Sequence, residues 1–159
     1  MNVDVIDLKI LKALQRDGRI SNLKLAETVC LSPSACLRRV GLLEESGIIR
    51  GYTAQLDAGM LGLEVEAFVM ITMRRDADRW HEQFAAALQH LDEVIGSYVV
   101  TGEANYLLRV RTRNLKHYSD FVLEKIYKIP GVLDIRSYMV LQTMRENAVI
   151  GEPPASTKG

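Results

Sequence analysis

The 159-residue sequence has no surplus of either charge, almost no cysteine and few aromatic residues, and each shortage closes off a class of function. Twenty Lys and Arg balance twenty Asp and Glu, so the chain does not coat a polyanion by bulk attraction, and any nucleic-acid contact must be local. Dividing the chain after Asp57 changes little: eight basic residues face seven acidic ones before the break, and twelve face thirteen after it. The two cysteines, Cys30 and Cys36, make no disulfide framework and are too few for a structural zinc site. Both fall in apolar helical patterns and read as reduced core residues. No stretch approaches the roughly 20 apolar residues of a membrane span. The start, Met1-Asn2-Val3-Asp4, has no basic segment followed by an apolar one, so a cytoplasmic location is expected.

What is present is apolar patterning, with 48% hydrophobic residues, enough for the cores of one or two small domains. From Asp4 onward, Ile6, Ile10, Leu11 and Leu14 recur at helical spacing, with Asp4 and Asp7 at the end where carboxylates favour the helix dipole. Gly18 reads as a left-handed stop near Asp17. Ser21 caps a short second helix carrying Leu23, Leu25, Ala26 and Val29. Ser32 caps a third, with Pro33 at its first position, running to Ser46 and ended by Gly47. On this helix Cys36, Val40 and Leu43 form the buried stripe, and Ser34, Arg38 and Leu42 point roughly the opposite way. Ile48 to Arg50 and Tyr52 to Leu56, hinged at Gly51, read as two short strands of a wing.

Helix, short helix, capped helix and wing together describe a DNA-reading module. The second helix braces on the backbone while the third enters a major groove about 12 Å wide. Arg38 is the candidate for a bidentate guanine contact. Ser32, Ser34 and Ala35 stand at the start of the reading helix, with the two serines able to bind phosphate or base, and Arg39, Arg19 and Arg50 are candidates for phosphate. Taken alone, Ser32-Pro33 is a good helix start and Arg38 a solvated surface residue. The succession of short capped helices and a ribbon favours DNA.

Asp57 to Gly62 breaks the pattern with two glycines, which puts a DNA-binding domain at 1–57 and a hinge at 58–62. A second domain at 63–150 and a flexible tail at 151–159 complete the expected organisation. Glu64 to Met73 alternates, with Val65, Ala67, Val69 and Ile71 on one face and Phe68 and Met70 on the other. A helix is expected over Asp78 to Leu91, with Trp80, Phe84, Ala87, Leu88 and Leu91 on one stripe, followed by strands at Val94–Thr101 and Tyr106–Thr112. Asn114 caps another helix, which buries Leu115, Tyr118, Phe121, Val122, Leu123 and Ile126 and stops at Pro130-Gly131. Val132 to Leu141 is the last strand. The order β-α-β-β-α-β is that of the ferredoxin-like split βαβ motif, an antiparallel sheet with both helices on one face, so the class is α+β. A sheet apolar on both faces and covered on one implies a homodimer, sheet to sheet. Its two-fold axis would present two reading helices to half-sites about one turn of double-stranded DNA apart.

Ser32 to Val40, followed by Leu43-Glu44, Gly47-Ile48-Ile49 and Gly51-Tyr52-Thr53-Ala54, resembles the Lrp/AsnC family of feast-or-famine regulators. The likeness extends from Asp7, Ile10-Leu11 and Asp17-Gly18-Arg19 to Val100-Thr101-Gly102-Glu103, Tyr106-Leu107-Leu108 and Pro130-Gly131-Val132. The resemblance implies a winged helix-turn-helix joined to a ferredoxin-like regulatory domain that dimerises and commonly assembles to octamers. It also implies control of amino-acid metabolism genes through an amino acid bound between regulatory domains. Carried over, the effector site falls on Gly102, Glu103, Asn105 and Tyr106, with Ile135, Ser137 and Tyr138 facing them from the last strand. Many members have Asp at Asn105 and Thr at Ile135 and Ser137. The changes here remove a charge for a ligand ammonium and make the pocket more apolar, favouring a neutral amino acid over lysine.

The architecture also resembles that of sirohaem decarboxylases, which need basic and histidine side chains converging on a tetrapyrrole. The three histidines, His81, His90 and His117, fall in expected helices beside charged neighbours and read as solvated. No catalytic constellation, metal-ligand spacing or cofactor motif is found elsewhere. A ligand-sensing assembly module without DNA binding is the third reading, and the intact Ser32 to Arg39 segment argues against it.

Overall fold

The computed structural model describes residues 3–74 and 80–144, and the chain divides into two compact units that part between Gln55 and Leu56. The expected helix start at Asp78, the end of the second domain at 145–150 and the tail at 151–159 lie outside the described residues.

In the first unit, α1 (Val5–Arg16) opens with a reciprocal capping box. Asp4 Oδ1 accepts from the Ile6 and Asp7 amides, both at 2.8 Å, and Asp7 Oδ2 accepts from the Asp4 amide at 3.1 Å. The helix ends at Arg16 on an extended Asp17 with φ −142°, whose amide still bonds Ala13 O. Gly18 therefore does not supply the left-handed stop expected of it. Its absent Cβ would sit 3.7 Å from the Tyr52 ring.

Helix α2 (Asn22–Val29) starts on Ser21, whose hydroxyl accepts from the Lys24 amide, and ends on Cys30 with φ 57° and ψ 47°. Cys30 is exposed, not a core residue, because the chain turns there into the left-handed region that most side chains resist. Leu31 N bonds back to Ala26 O at 2.9 Å, which closes the helix end. Helix α3 (Pro33–Glu45) begins as expected on Ser32, with Ser46 as its C-cap and Gly47 left-handed at φ 74°. Ile10, Leu25, Ala26, Val29, Cys36 and Leu43 are the core these helices share. The two strands expected at Ile48–Arg50 and Tyr52–Leu56 are not formed, since a strand needs a paired neighbour and residues 48–56 find none among the described residues. The segment is instead held by Ile49 N on Leu43 O at 3.0 Å and by Tyr52 Oη donating to Glu44 Oε1 at 2.9 Å. Residues 57–63 form successive turns, with Leu63 N on Ala58 O at 2.8 Å.

The second unit contains β1 (Val65–Met73), α4 (Trp80–Leu88), β2 (Val94–Val99), β3 (Tyr106–Thr112), α5 (Leu115–Phe121) and β4 (Val132–Met139). The strands form one antiparallel sheet in the order β2-β3-β1-β4, the ferredoxin-like arrangement. Ala67, Val69, Ile71 and Met73 alternate with half-buried partners along β1, as the sequence predicts. Together with Tyr106, Leu108 and Val110 they pack under Phe84 of α4 and under Tyr118 and Phe121 of α5.

Beyond Phe121 the helix widens into a π turn over Val122–Ile126, closed by Tyr127 N on Val122 O at 3.0 Å. A regular helix would turn Lys125 inward four residues after Phe121. The extra residue puts Ile126 there instead, fully buried, and frees Lys125 to reach Glu93 Oε1 at 2.5 Å. Leu123, two residues past Phe121, points away from the core and is exposed. Leu115, in the first turn of α5, is also exposed, so neither is the core residue the periodicity predicts.

The second face of the sheet is mixed rather than purely apolar. Phe68, Met70 and Leu107 share it with Glu66, whose two carboxylate oxygens take Arg109 Nε at 2.5 Å and Arg111 Nη2 at 2.6 Å. The register puts Tyr98 of β2 and Tyr138 of β4 on this face as well.

Candidate functional site

In the first unit, α2 and α3 are braced where they begin: Asn22 Nδ2 donates to Pro33 O at 2.9 Å. Ser32 Oγ accepts from the Ala35 amide at 3.3 Å and lies 3.3 Å from Ser34 Oγ, so two hydroxyls cluster at the exposed start of α3. Ala35 is half-buried beneath them, contributing its backbone to the cap rather than a side chain to the surface.

Arg38 is exposed on the same face, and it makes no ion pair or hydrogen bond with another described residue. Arg19 and Arg50 are exposed at the ends of their turns. Arg39 has a different task. Its Nη1 donates to Asp4 Oδ2 at 2.8 Å and to Asp7 Oδ1 at 2.7 Å, tying α3 to the capping box of α1. Hydrogen bonds from Asp7, first, and Asp4 raise the Arg39 pKa above its ordinary value. The Asp7 amide, then Arg39, hold the Asp4 carboxyl below its own. Arg39 thus ties α3 to α1 through Nη1, a structural tie that its reading as a phosphate contact did not include.

The expected effector residues divide by the pleat of the sheet. Gly102, at φ 115°, and exposed Glu103 form the tip of the loop between β2 and β3, which Val100 N on Asn105 O closes at 3.1 Å. Glu103 Oε2 accepts from Arg136 Nη1 of β4 at 2.7 Å, a partner the sequence pattern does not indicate.

Asn105 is buried, and its Oδ1 accepts from the Met73 amide at 2.7 Å while its own amide bonds Ile71 O at 2.9 Å. Tyr106 is buried on the helix-covered face, stacked on Phe84 with ring centroids 4.2 Å apart. Its hydroxyl lies 2.5 Å from His81 Nδ1, and burial raises its pKa. Ile135 and Ser137 lie opposite Ile71 and Val69 on that same face, and Ser137 Oγ accepts from Tyr118 Oη at 2.5 Å. Tyr138, opposite Phe68, is on the open face. Within one chain these side chains do not converge on a single cavity.

Two grooves flank this unit. One, of about 430 Å³ between α4 and β2, is lined by His81, Gln89, Tyr98 and Tyr106 among others. The other, of about 680 Å³ beside α5 and β4, is lined by Tyr118, Leu123 and Met139 among others. Of the expected effector residues only Tyr106 lines either groove.

His81 and His117 are partnered rather than simply solvated. The Arg113 amide donates to His117 Nδ1 at 3.3 Å, which leaves Nε2 as the protonated nitrogen, 3.1 Å from Glu93 Oε1. Burial alone would raise the Glu93 carboxyl. Hydrogen bonds from Lys125, from its own backbone and from His117 outweigh burial and hold it below its ordinary value. Among the described residues no group of His, Cys, Asp and Glu is arranged to hold a metal ion, and no helix is long and apolar enough to cross a membrane.

Known families match both units. A winged helix-turn-helix DNA-binding model covers residues 3–50, and the Lrp/AsnC ligand binding domain covers residues 66–150. The leucine-responsive regulatory protein of Salmonella typhimurium is 42% identical over 146 residues, 92% of this chain and 89% of that protein. A transcriptional regulator from Neisseria meningitidis, solved as its L-methionine complex, superposes with a TM-score of 0.91 at 37% identity, covering 94% of this chain and 97% of that one. A feast or famine regulatory protein from M. tuberculosis, complexed with L-methionine, superposes with a TM-score of 0.84 at 32% identity, covering 94% and 99%. With α2 braced against an α3 whose outer face is exposed in one unit and a ferredoxin-like α+β sheet in the other, this chain belongs to the Lrp/AsnC family of DNA-binding transcriptional regulators.

Proposed function

We propose that this chain is a cytoplasmic, sequence-specific regulator of amino-acid metabolism genes that catalyses no reaction and takes its signal from a neutral amino acid. The observation that carries the DNA half is the exposed face of α3, where Arg38, unpaired among the described residues, stands one turn after Ser34, whose hydroxyl lies beside that of Ser32. Arg38 reads a guanine, the two serines bind base or phosphate, and Arg19 and Arg50 neutralise phosphates. With no net charge on the chain, affinity depends on these few contacts and on pairing two reading helices in one assembly.

Pairing is supported by the open sheet face. Phe68, Met70, Leu107, Tyr98 and Tyr138 form a broad amphipathic surface around the Glu66 ion pairs, suited to a second copy of the sheet in a homodimer that can build to an octamer. The effector binds between regulatory domains, against the Gly102–Glu103 loop tip. Asn105, Tyr106, Ile135 and Ser137 shape that loop and its neighbouring strand from beneath, and Tyr138 lies on the opposite face. L-methionine in the two solved relatives supports an uncharged side chain as the signal.

The test pairs DNA selection with a ligand screen. Arg38→Ala is expected to lose about 1–3 kcal/mol of specific binding and to relax sequence preference at one position in each half-site. An unchanged footprint and affinity removes Arg38 from the reading surface. A thermal-shift screen of the full chain against the twenty common amino acids is expected to raise the melting temperature for a neutral one, since a ligand that binds only the folded state stabilises it.

A further inference from the structure

We propose that Leu37 reads sequence by packing on the C5-methyl group of a thymine in the major groove, an assignment that rests on α3 being the reading helix. Leu37 is 61% exposed, although Cys36 beside it is fully buried and the core of the unit is complete without it. It follows Ser34 by three residues, so a large apolar group flanks Ser34 on the helix surface, with Arg38, four residues after Ser34, on that serine's other side.

The sequence also keeps Leu37 bare. A helical side chain covers the turn before its own Cα, so the residue four positions on would shield Leu37. That residue is Gly41, which carries no side chain to do so. In free solution an uncovered leucine gains nothing for the fold. On the major-groove edges of the four base pairs, the thymine methyl is the apolar group available to receive it. The neighbouring polar donors fix the register, and the leucine adds a preference for A·T at the position beside them.

The experiment uses the full chain and a randomised-core duplex library to find the preferred site. That duplex is then resynthesised with deoxyuridine replacing one thymidine at a time, which removes only the methyl group. Binding is expected to weaken about three- to fivefold at one position per half-site, the worth of one buried methyl. The Leu37→Ala protein is expected to bind the thymidine and deoxyuridine duplexes equally well and to keep the oligomeric state of the parent in sedimentation.

Each other result counts against the assignment. A selected site with no methyl dependence, or a dependence that survives in Leu37→Ala, overturns the role of Leu37 alone. Dissociation of Leu37→Ala into smaller species shows that the leucine is covered by another copy of the chain. If the unsubstituted protein selects no duplex at all, the reading of α3 as the DNA-contacting helix fails and Leu37 falls with it.

Discussion

Gly41→Ala separates what α3 needs for folding from what it needs for binding. Gly41 lies inside a helix that runs from Pro33 to Glu45, where glycine is about 1 kcal/mol worse than alanine. The added methyl meets no heavy atom within 4 Å, so it introduces no clash and gains little packing. The expected result is a stabilisation of about 0.5–1 kcal/mol, which for a unit this small raises the melting temperature by roughly 3–6 °C. Urea and thermal unfolding followed by helical circular dichroism measure it on the full chain. Unchanged or lowered stability would refute the argument, because it would mean that Gly41 is not in an open helix interior. The same variant carries a second readout. A helix-interior glycine with free space around it costs the isolated protein stability, so its use lies in close approach to a ligand surface. DNA affinity is therefore expected to fall while stability rises. A stabilised protein with parental affinity would show that only the first turn of α3 enters the groove.

Cys30→Gly relieves a left-handed residue at the turn between α2 and α3. After allowing for the extra freedom of glycine in the unfolded chain, it should stabilise the first unit by about 0.5–1 kcal/mol in urea titration. Asn105→Ala strands the buried Met73 amide and should cost about 1–3 kcal/mol of stability. Asn105→Asp keeps that acceptor, so it is the variant whose amino-acid binding by calorimetry tests the effector site without disturbing the loop. Because the Glu93 carboxyl is held below its ordinary value of 4.5 in the folded state, its stabilising contribution is fully present above that value and is lost as the pH falls through the lowered one. Urea midpoints between pH 7 and pH 3 should show this loss in the parent and a flatter profile in Glu93→Gln.

Caps and alternation were legible because they are local. Ser21, Ser32 and Asn114 each accept from an amide three residues on, and that geometry depends on nothing beyond one turn of chain. The strand pattern of β1 was legible because the pleat alternates whatever lies above it. Where the reading failed, a distant partner or a backbone irregularity decided the outcome. Arg39 looks like its neighbour Arg38 in sequence, but its position on α3 lies against Asp4 and Asp7, more than thirty residues away. Leu115 and Leu123 are apolar like their buried neighbours on this helix, yet the packed sheet leaves both exposed. The residues 48–56 have strand-like composition, but no neighbour among the described residues supplies a ladder.

The sequence by itself determined the two-unit organisation of the family, the three capped helices, the βαββαβ order and the exposed Ser34–Arg38 face, because each follows from local propensity or short-range periodicity. Only the tertiary structure decided which charges were already spent and which polar groups were buried. It assigned Arg39 to the capping box, Asn105 to the Met73 amide, Ser137 to Tyr118 and Glu103 to Arg136. Such pairings join residues far apart in the chain, and they exist only once the helices and the sheet have packed. Arg38, Leu37 and Gly41 stay on the open face of α3, where the packed unit leaves them exposed or with free space around them.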